Sequence, residues 1–221
     1  MTKIKICGIT RLEDALEAAL LGADALGFNF SASSPRRIDA EAARAIIAGL
    51  PPLVTPVGVF VEQSPEEIVD LCRYCGLQIA QLHSDEYDAE KVQRIEGFRV
   101  IRVFRPGPGF AVSQVREFAE ATGCQSFLFD AYSPVAAGGT GESIEARTAM
   151  ALFEETRDVG WALLAGGLKP ENVADAVRLA RPWGVDTASG VESAPGVKDA
   201  LKMRRFVEAV READRSLTSG S

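Results

Sequence analysis

Short apolar segments alternate with amphipathic ones eight times along the chain, and no other feature restricts its fold as much. Strands are expected near Lys3–Cys7, Asp24–Phe30, Thr55–Val61, Gln78–Leu82, Arg99–Phe104, Ser126–Phe129, Trp161–Ala165 and Gly184–Ala188. Helices are expected over Leu12–Leu21, Asp39–Leu50, Asp88–Ile95, Val112–Thr122, Arg147–Arg157, Pro170–Ala180 and Lys198–Asp214. One more opens at Ser64, where Ser64, Pro65 and Glu67 supply a cap, an N1 proline and a capping box. Asp39 reads as another N-cap, because its carboxylate can accept an otherwise unpaired amide of the first turn.

Strand–helix alternation calls for a parallel sheet. An open doubly wound sheet usually carries Gly-x-Gly-x-x-Gly after its first strand, and here that turn reads Cys7-Gly8-Ile9-Thr10. Eight units in 221 residues instead fit an α/β fold of the (β/α)8 TIM-barrel type, a single domain over residues 1–215 with a flexible tail at 216–221. No composition break divides the chain.

The net charge of −7 and the lack of a Lys/Arg cluster argue against a nucleic-acid partner. No apolar run reaches membrane-span length, so no membrane partner is expected. Met1 leads directly into Lys-Ile-Lys-Ile, no signal peptide is read, and a cytoplasmic location is expected. Four cysteines do not make a disulfide scaffold, and Cys72-Arg73-Tyr74-Cys75 lies at a helix end, where a structural role is expected; Cys124 reads the same way. A single histidine, His83, rules out two-His metal sites; a carboxylate-only site stays open, though no pattern marks one.

In a barrel of this kind chemistry gathers at the carboxyl ends of the strands. Those ends carry Cys7, Asn29 with Arg36 and Arg37 beyond it, His83, Asp130, Gly166-Gly167 and Ser189-Gly190. Glycines let backbone N–H groups approach an oxyanion, and glycine loops after strands seven and eight point to phosphate more than to simple turns. Cys7 at a strand's catalytic end favours a functional thiol over a packed one, and a lowered pKa would make it a base. Asp130 precedes a long glycine-rich loop rather than a helix, which favours a catalytic or substrate-binding carboxylate. One of Arg36 and Arg37 is expected to be solvated and the other to meet a substrate carboxylate with its forked donors. His83 fits a structural hydrogen bond and a substrate contact equally well.

Side chains alternate across a strand, so Lys5 shares the face of Cys7, and Asp186 faces the lumen below Ser189. Lys5 is therefore expected to pair with Asp186 inside the barrel and to favour the Cys7 thiolate.

Lys5-Ile6-Cys7-Gly8-Ile9-Thr10 resembles the amino-terminal signature of phosphoribosylanthranilate isomerases. Similar segments follow in family order: Gly22–Phe28, Ser34-Pro35-Arg36, Val57–Val61, Gln81-Leu82-His83, Gly138–Gly141, Ala165–Leu168, Ser189–Glu192 and Pro195–Asp199. The resemblance spans essentially the whole chain. It implies a cofactor-free Amadori rearrangement of a small sugar-phosphate substrate in tryptophan biosynthesis, by a monomer or homodimer. It also implies Cys7 as general base and Asp130 as general acid. Arg36, His83 and Asp186 would bind substrate, and Gly166, Gly167, Ser189 and Gly190 its phosphate. The chain departs from the family pattern at Ser84, at Ser31-Ala32 and in the stretch Glu142–Ala146.

Rival barrel chemistries lack their residues. A Schiff-base aldolase needs a lysine at a strand's catalytic end, and of the six lysines only Lys5 is expected near one. A metal-dependent epimerase needs more than one histidine, and a triosephosphate-isomerase-like site needs a glutamate ending a late strand. A non-catalytic phosphate-binding barrel would not need both Cys7 and Asp130.

Overall fold

The computed structural model describes residues 1–107, 109–130 and 144–219. Strands β1 (Lys3–Cys7), β2 (Ala25–Asn29), β3 (Thr55–Phe60), β4 (Ile79–Leu82), β5 (Arg99–Phe104), β6 (Ser126–Asp130), β7 (Trp161–Ala165) and β8 (Gly184–Thr187) form a barrel in chain order. Every neighbouring pair is parallel, and β8 closes onto β1. The helices are α1 (Leu12–Leu21), α2 (Ala40–Ala48), α3 (Pro65–Cys75), α4 (Ala89–Gln93), α5 (Ser113–Thr122), α6 (Ile144–Glu155), α7 (Val173–Ala180) and α8 (Ala200–Ser219). The chain is thus a single (β/α)8 barrel. Among the described residues no helix is long and apolar enough to cross a membrane.

Local chemistry sets the helix starts. The Asp39 carboxylate accepts from the Ala42 amide at 2.8 Å. Ser64 and Glu67 form the reciprocal capping box, at 3.3 and 2.7 Å. Three boundaries differ from expectation by three residues or more. Helix α7 starts at Val173 rather than Pro170, because Asn172 turns back on the preceding loop: its Oδ1 accepts from Lys169 N and its Nδ2 donates to Gly167 O. Helix α6 begins at Ile144, three residues before the expected Arg147. Helix α8 continues past Asp214 to Ser219, and Leu217 packs against the core, so residues 216–219 are helical rather than the loose tail expected. A hairpin that the pattern does not reveal, β9 (Glu192–Ala194) with β10 (Val197–Lys198), lies between β8 and α8.

Strand alternation sorts the core into two layers. Outward residues such as Ile4, Ile6, Leu26, Phe28, Phe60, Phe127 and Phe129 are fully buried beneath the helices. Each such side chain contributes about 1.5–3 kcal/mol by leaving water. Inward residues Ile101, Val103, Leu128, Leu163 and Ala165 form a second apolar cluster inside the barrel. The same alternation sends the polar Lys5, Gln81 and Asp186 into buried positions, where each needs a partner.

Candidate active site

A cavity of about 220 Å³ opens among the carboxyl ends of the strands. Its lining brings together Cys7 from β1, Arg36 from the loop after β2, His83 after β4, Asp130 from β6, Gly166 and Gly167 after β7, and Asp186 and Ser189 from β8 and its loop. Gly190 does not line it but fixes its wall: a Cβ there would lie 1.9 Å from the Leu168 carbonyl oxygen and 2.9 Å from Thr187 Oγ1. The Thr187 hydroxyl donates to that same carbonyl at 2.7 Å. The loops after β7 and β8 are therefore packed backbone to backbone. Gly166 and Gly167, at φ +95° and +66°, adopt a left-handed conformation that L side chains resist.

Lys5 lies opposite Asp186 in the β1–β8 register, and its ammonium donates to Oδ1 at 2.8 Å. Burial works against the Lys5 charge, but Asp186 and Cys7 outweigh it, and its pKa is raised. The Cys7 thiol moves the other way from the expectation of a lowered value. Burial pushes it up, and the opposing pull of Lys5 and Lys198 does not offset the loss of water. Burial likewise raises the Asp130 carboxyl, although Arg105 pulls it down.

His83 is held neutral, its pKa lowered to about 3 by burial and by the cations Lys5, Arg105 and Arg102. Arg105 donates to the His83 carbonyl at 2.8 Å and lies 3.2 Å from Nδ1. Arginine has only donors, so Nδ1 accepts and the ring proton sits on Nε2. The Gln81 side-chain nitrogen lies 2.7 Å from Nε2 and its oxygen is buried without a partner, so exchanging the two amide ends lets the oxygen accept from the ring. Arg105 was not singled out from sequence, though its place directly after β5 puts it at a strand's catalytic end.

Of the two adjacent arginines, Arg37 is exposed and Arg36 turns to the cavity. The Arg36 stem lies over Gly8, at φ +78°, where a Cβ would sit 2.5 Å from Arg36 Cδ. Its guanidinium is already engaged: Nε donates to Glu192 Oε1 at 2.8 Å and Nη2 to Oε2 at 2.7 Å. Glu192 is also paired with Lys198, whose Nζ lies 2.8 Å from Oε1. Lys198 corrects the expectation that only Lys5 lies near the site. Its fully buried ammonium donates to the Cys7 carbonyl at 2.6 Å and to that of Ala188 at 3.2 Å. The sequence signal for it was weak, since Lys198 stands beyond the last strand and reaches the site only through the β9–β10 hairpin.

Cys72 and Cys75 are buried within α3, Cys75 donating to the Ala40 carbonyl, in keeping with a structural role. The Gly138–Gly141 motif and positions 142–143 lie outside the described residues. Among the described residues no cluster of three or more His, Cys, Asp or Glu is placed to hold a metal ion.

The family profile described as N-(5'phosphoribosyl)anthranilate (PRA) isomerase matches residues 4–209. The chain is 81% identical over 219 residues to N-(5'-phosphoribosyl)anthranilate isomerase of Chlorobaculum tepidum, covering 99% of each chain. It is 73% identical over 219 residues, with the same coverage, to that of Chlorobaculum parvum. Among solved structures, the phosphoribosyl anthranilate isomerase of Thermotoga maritima superposes with a TM-score of 0.81 at 38% identity, over 96% of this chain and 100% of that one. A phosphoribosyl anthranilate isomerase in complex with reduced 1-(o-carboxyphenylamino)-1-deoxyribulose 5-phosphate superposes with a TM-score of 0.80 at 36% identity, with the same coverage.

Proposed function

Because the chain belongs to the N-(5'-phosphoribosyl)anthranilate isomerase family and is an isomerase of tryptophan biosynthesis, we propose that Cys7 and Asp130 carry its Amadori rearrangement as general base and general acid. Asp130 gives its proton to the ribose ring oxygen. The C1′–O bond breaks, and the nitrogen lone pair forms the C1′=N bond of a protonated Schiff base. The Cys7 thiolate then takes the C2′ proton. That C–H electron pair becomes the C1′=C2′ bond of an enol, and the C=N pair returns to nitrogen. Loss of the enol hydroxyl proton and protonation at C1′ give the ketone.

The observation that carries this reading is the shared cavity: the thiol and the carboxyl line one concave site from β1 and β6. A carboxyl raised by burial keeps its proton to higher pH, which suits an acid. Lys5, coupled to Cys7 and Asp186, supplies the positive charge that a thiolate needs in a dry site. Arg36 takes the anthranilate carboxylate on the guanidinium edge that Glu192 leaves open. Gly166, Gly167 and Ser189 hold the phosphate through backbone N–H groups, with Gly190 keeping the wall behind them closely packed, and His83 and Asp186 contact the sugar between them. The enzyme works in the cytoplasm on this small sugar phosphate.

Cys7→Ala and Asp130→Ala are each expected to lower kcat by ~10²–10⁴, the usual worth of a placed acid or base. Inorganic phosphate should still compete with substrate in both. Full turnover by Cys7→Ala in a fluorescence assay of substrate consumption would refute the base assignment.

A further inference from the structure

We infer that Lys198 is a positioning residue that ties the base, the phosphate loop and the carboxylate anchor into one rigid unit through Glu192. The inference rests on the reading of Cys7 as base and Arg36 as anchor. Three neighbouring parts of the site meet at one ammonium. Lys198 Nζ donates to the Cys7 carbonyl at 2.6 Å, to the Ala188 carbonyl beside Ser189 at 3.2 Å, and to Glu192 Oε1 at 2.8 Å. Glu192 in turn grips Arg36 in a two-point contact.

The surroundings hold the unit in place. The Lys198 amide donates to Asp14 Oδ2 at 2.9 Å, and Lys202 Nζ donates to the Glu192 carbonyl at 2.7 Å. Gly196 N reaches Glu192 Oε1 at 3.3 Å. The ammonium is fully buried and the carboxylate side chain only 5% exposed, so neither charge is satisfied by water. A charge pair this dry costs desolvation energy, and its three-way geometry supplies a reason to retain it. A guanidinium clamped along its Nε–Nη2 edge presents its other edge in one orientation, which lowers the entropy lost when a carboxylate docks. Through its bond to the Cys7 carbonyl, Lys198 also brings a third positive charge to act on the Cys7 thiol, along with Lys5 and Arg36, while Asp186 acts against them.

The two arms separate in different variants. Glu192→Gln removes the charge that clamps Arg36, and KM should rise about tenfold while kcat stays within about threefold. Lys198→Met removes the cation bonded to the Cys7 carbonyl. Alkylation of Cys7 by iodoacetamide, followed on its own peptide by mass spectrometry, should slow roughly three- to tenfold at a fixed pH, with its midpoint moved to higher pH. Should Lys198→Met fail to fold, the Lys198→Met/Glu192→Gln double variant removes both buried charges and serves for the same alkylation measurement. An unchanged Cys7 alkylation profile without Lys198, or an unchanged KM in Glu192→Gln, overturns the inference. The underlying reading fails by a different result, a Cys7→Ala enzyme with full turnover.

Discussion

Lys5 and Asp186 stand opposite each other where the first and last strands close the barrel, and their side chains meet at 2.8 Å in its interior. The Lys5 side chain is 1% exposed, and the pair sits at the seam of the fold with Asp186 lining the cavity. Removing one partner leaves the other charge buried and unmatched. Lys5→Met is therefore expected to lower unfolding stability by about 3–5 kcal/mol, and Lys5→Met/Asp186→Leu to recover most of that loss. Urea unfolding of the two variants measures this directly. Equal loss in both would mean that packing rather than charge dominates there.

His83 is the chain's one histidine, so its ring resonances can be assigned without ambiguity. With its pKa near 3, it should show no titration between pH 8 and pH 5, and the ring proton should stay on Nε2. The folded value lies below the usual 6.5, so the unfolded chain binds the proton more readily. Stability from this group is thus complete above about pH 6.5 and falls as pH drops toward 3. Nitrogen-15 spectra across that range test the point, and a midpoint near 6.5 would contradict the neutral, Arg105-braced ring.

Gly190→Ala and Gly167→Ala separate close packing from backbone conformation. At Gly190 an added Cβ would collide with the Leu168 backbone, and the loops after β7 and β8 must part. At Gly167 the φ of +66° makes the cost conformational, about 1–2 kcal/mol. KM should rise at least about tenfold in Gly190→Ala, with inhibition by inorganic phosphate weakened in parallel, and by less in Gly167→Ala. Steady-state kinetics with phosphate as competitor gives both numbers. A Gly190→Ala enzyme with ordinary phosphate inhibition would remove this loop from the phosphate site.

What was legible in the sequence is what local rules govern. The period of the apolar pattern marked eight strands and eight helices, and the caps at Asp39 and Ser64 hold as hydrogen bonds. With Cys7 facing the barrel axis, strand parity put Lys5 on the same inner surface and Asp186 in the lumen, because side chains two residues apart share a face. Position at or just beyond a strand's carboxyl end was enough to gather Cys7, Arg36, His83, Asp130, Gly166, Gly167 and Ser189 around one cavity.

Tertiary structure decided how those groups are charged and held. Glu192 and Lys198 sit on a two-strand hairpin with no periodic signal, and only folding carries them back to Arg36 and to the Cys7 carbonyl. The start of α7 moved because the Asn172 side chain found partners in the loop after β7, a competition that propensity does not record. Whether the thiol's pKa rises or falls depends on burial set against the nearby Lys5 and Lys198. Periodicity is a property of neighbours along the chain and can be read there. Desolvation and ion pairing depend on distances between residues up to nearly two hundred positions apart, and these exist only once the barrel has closed.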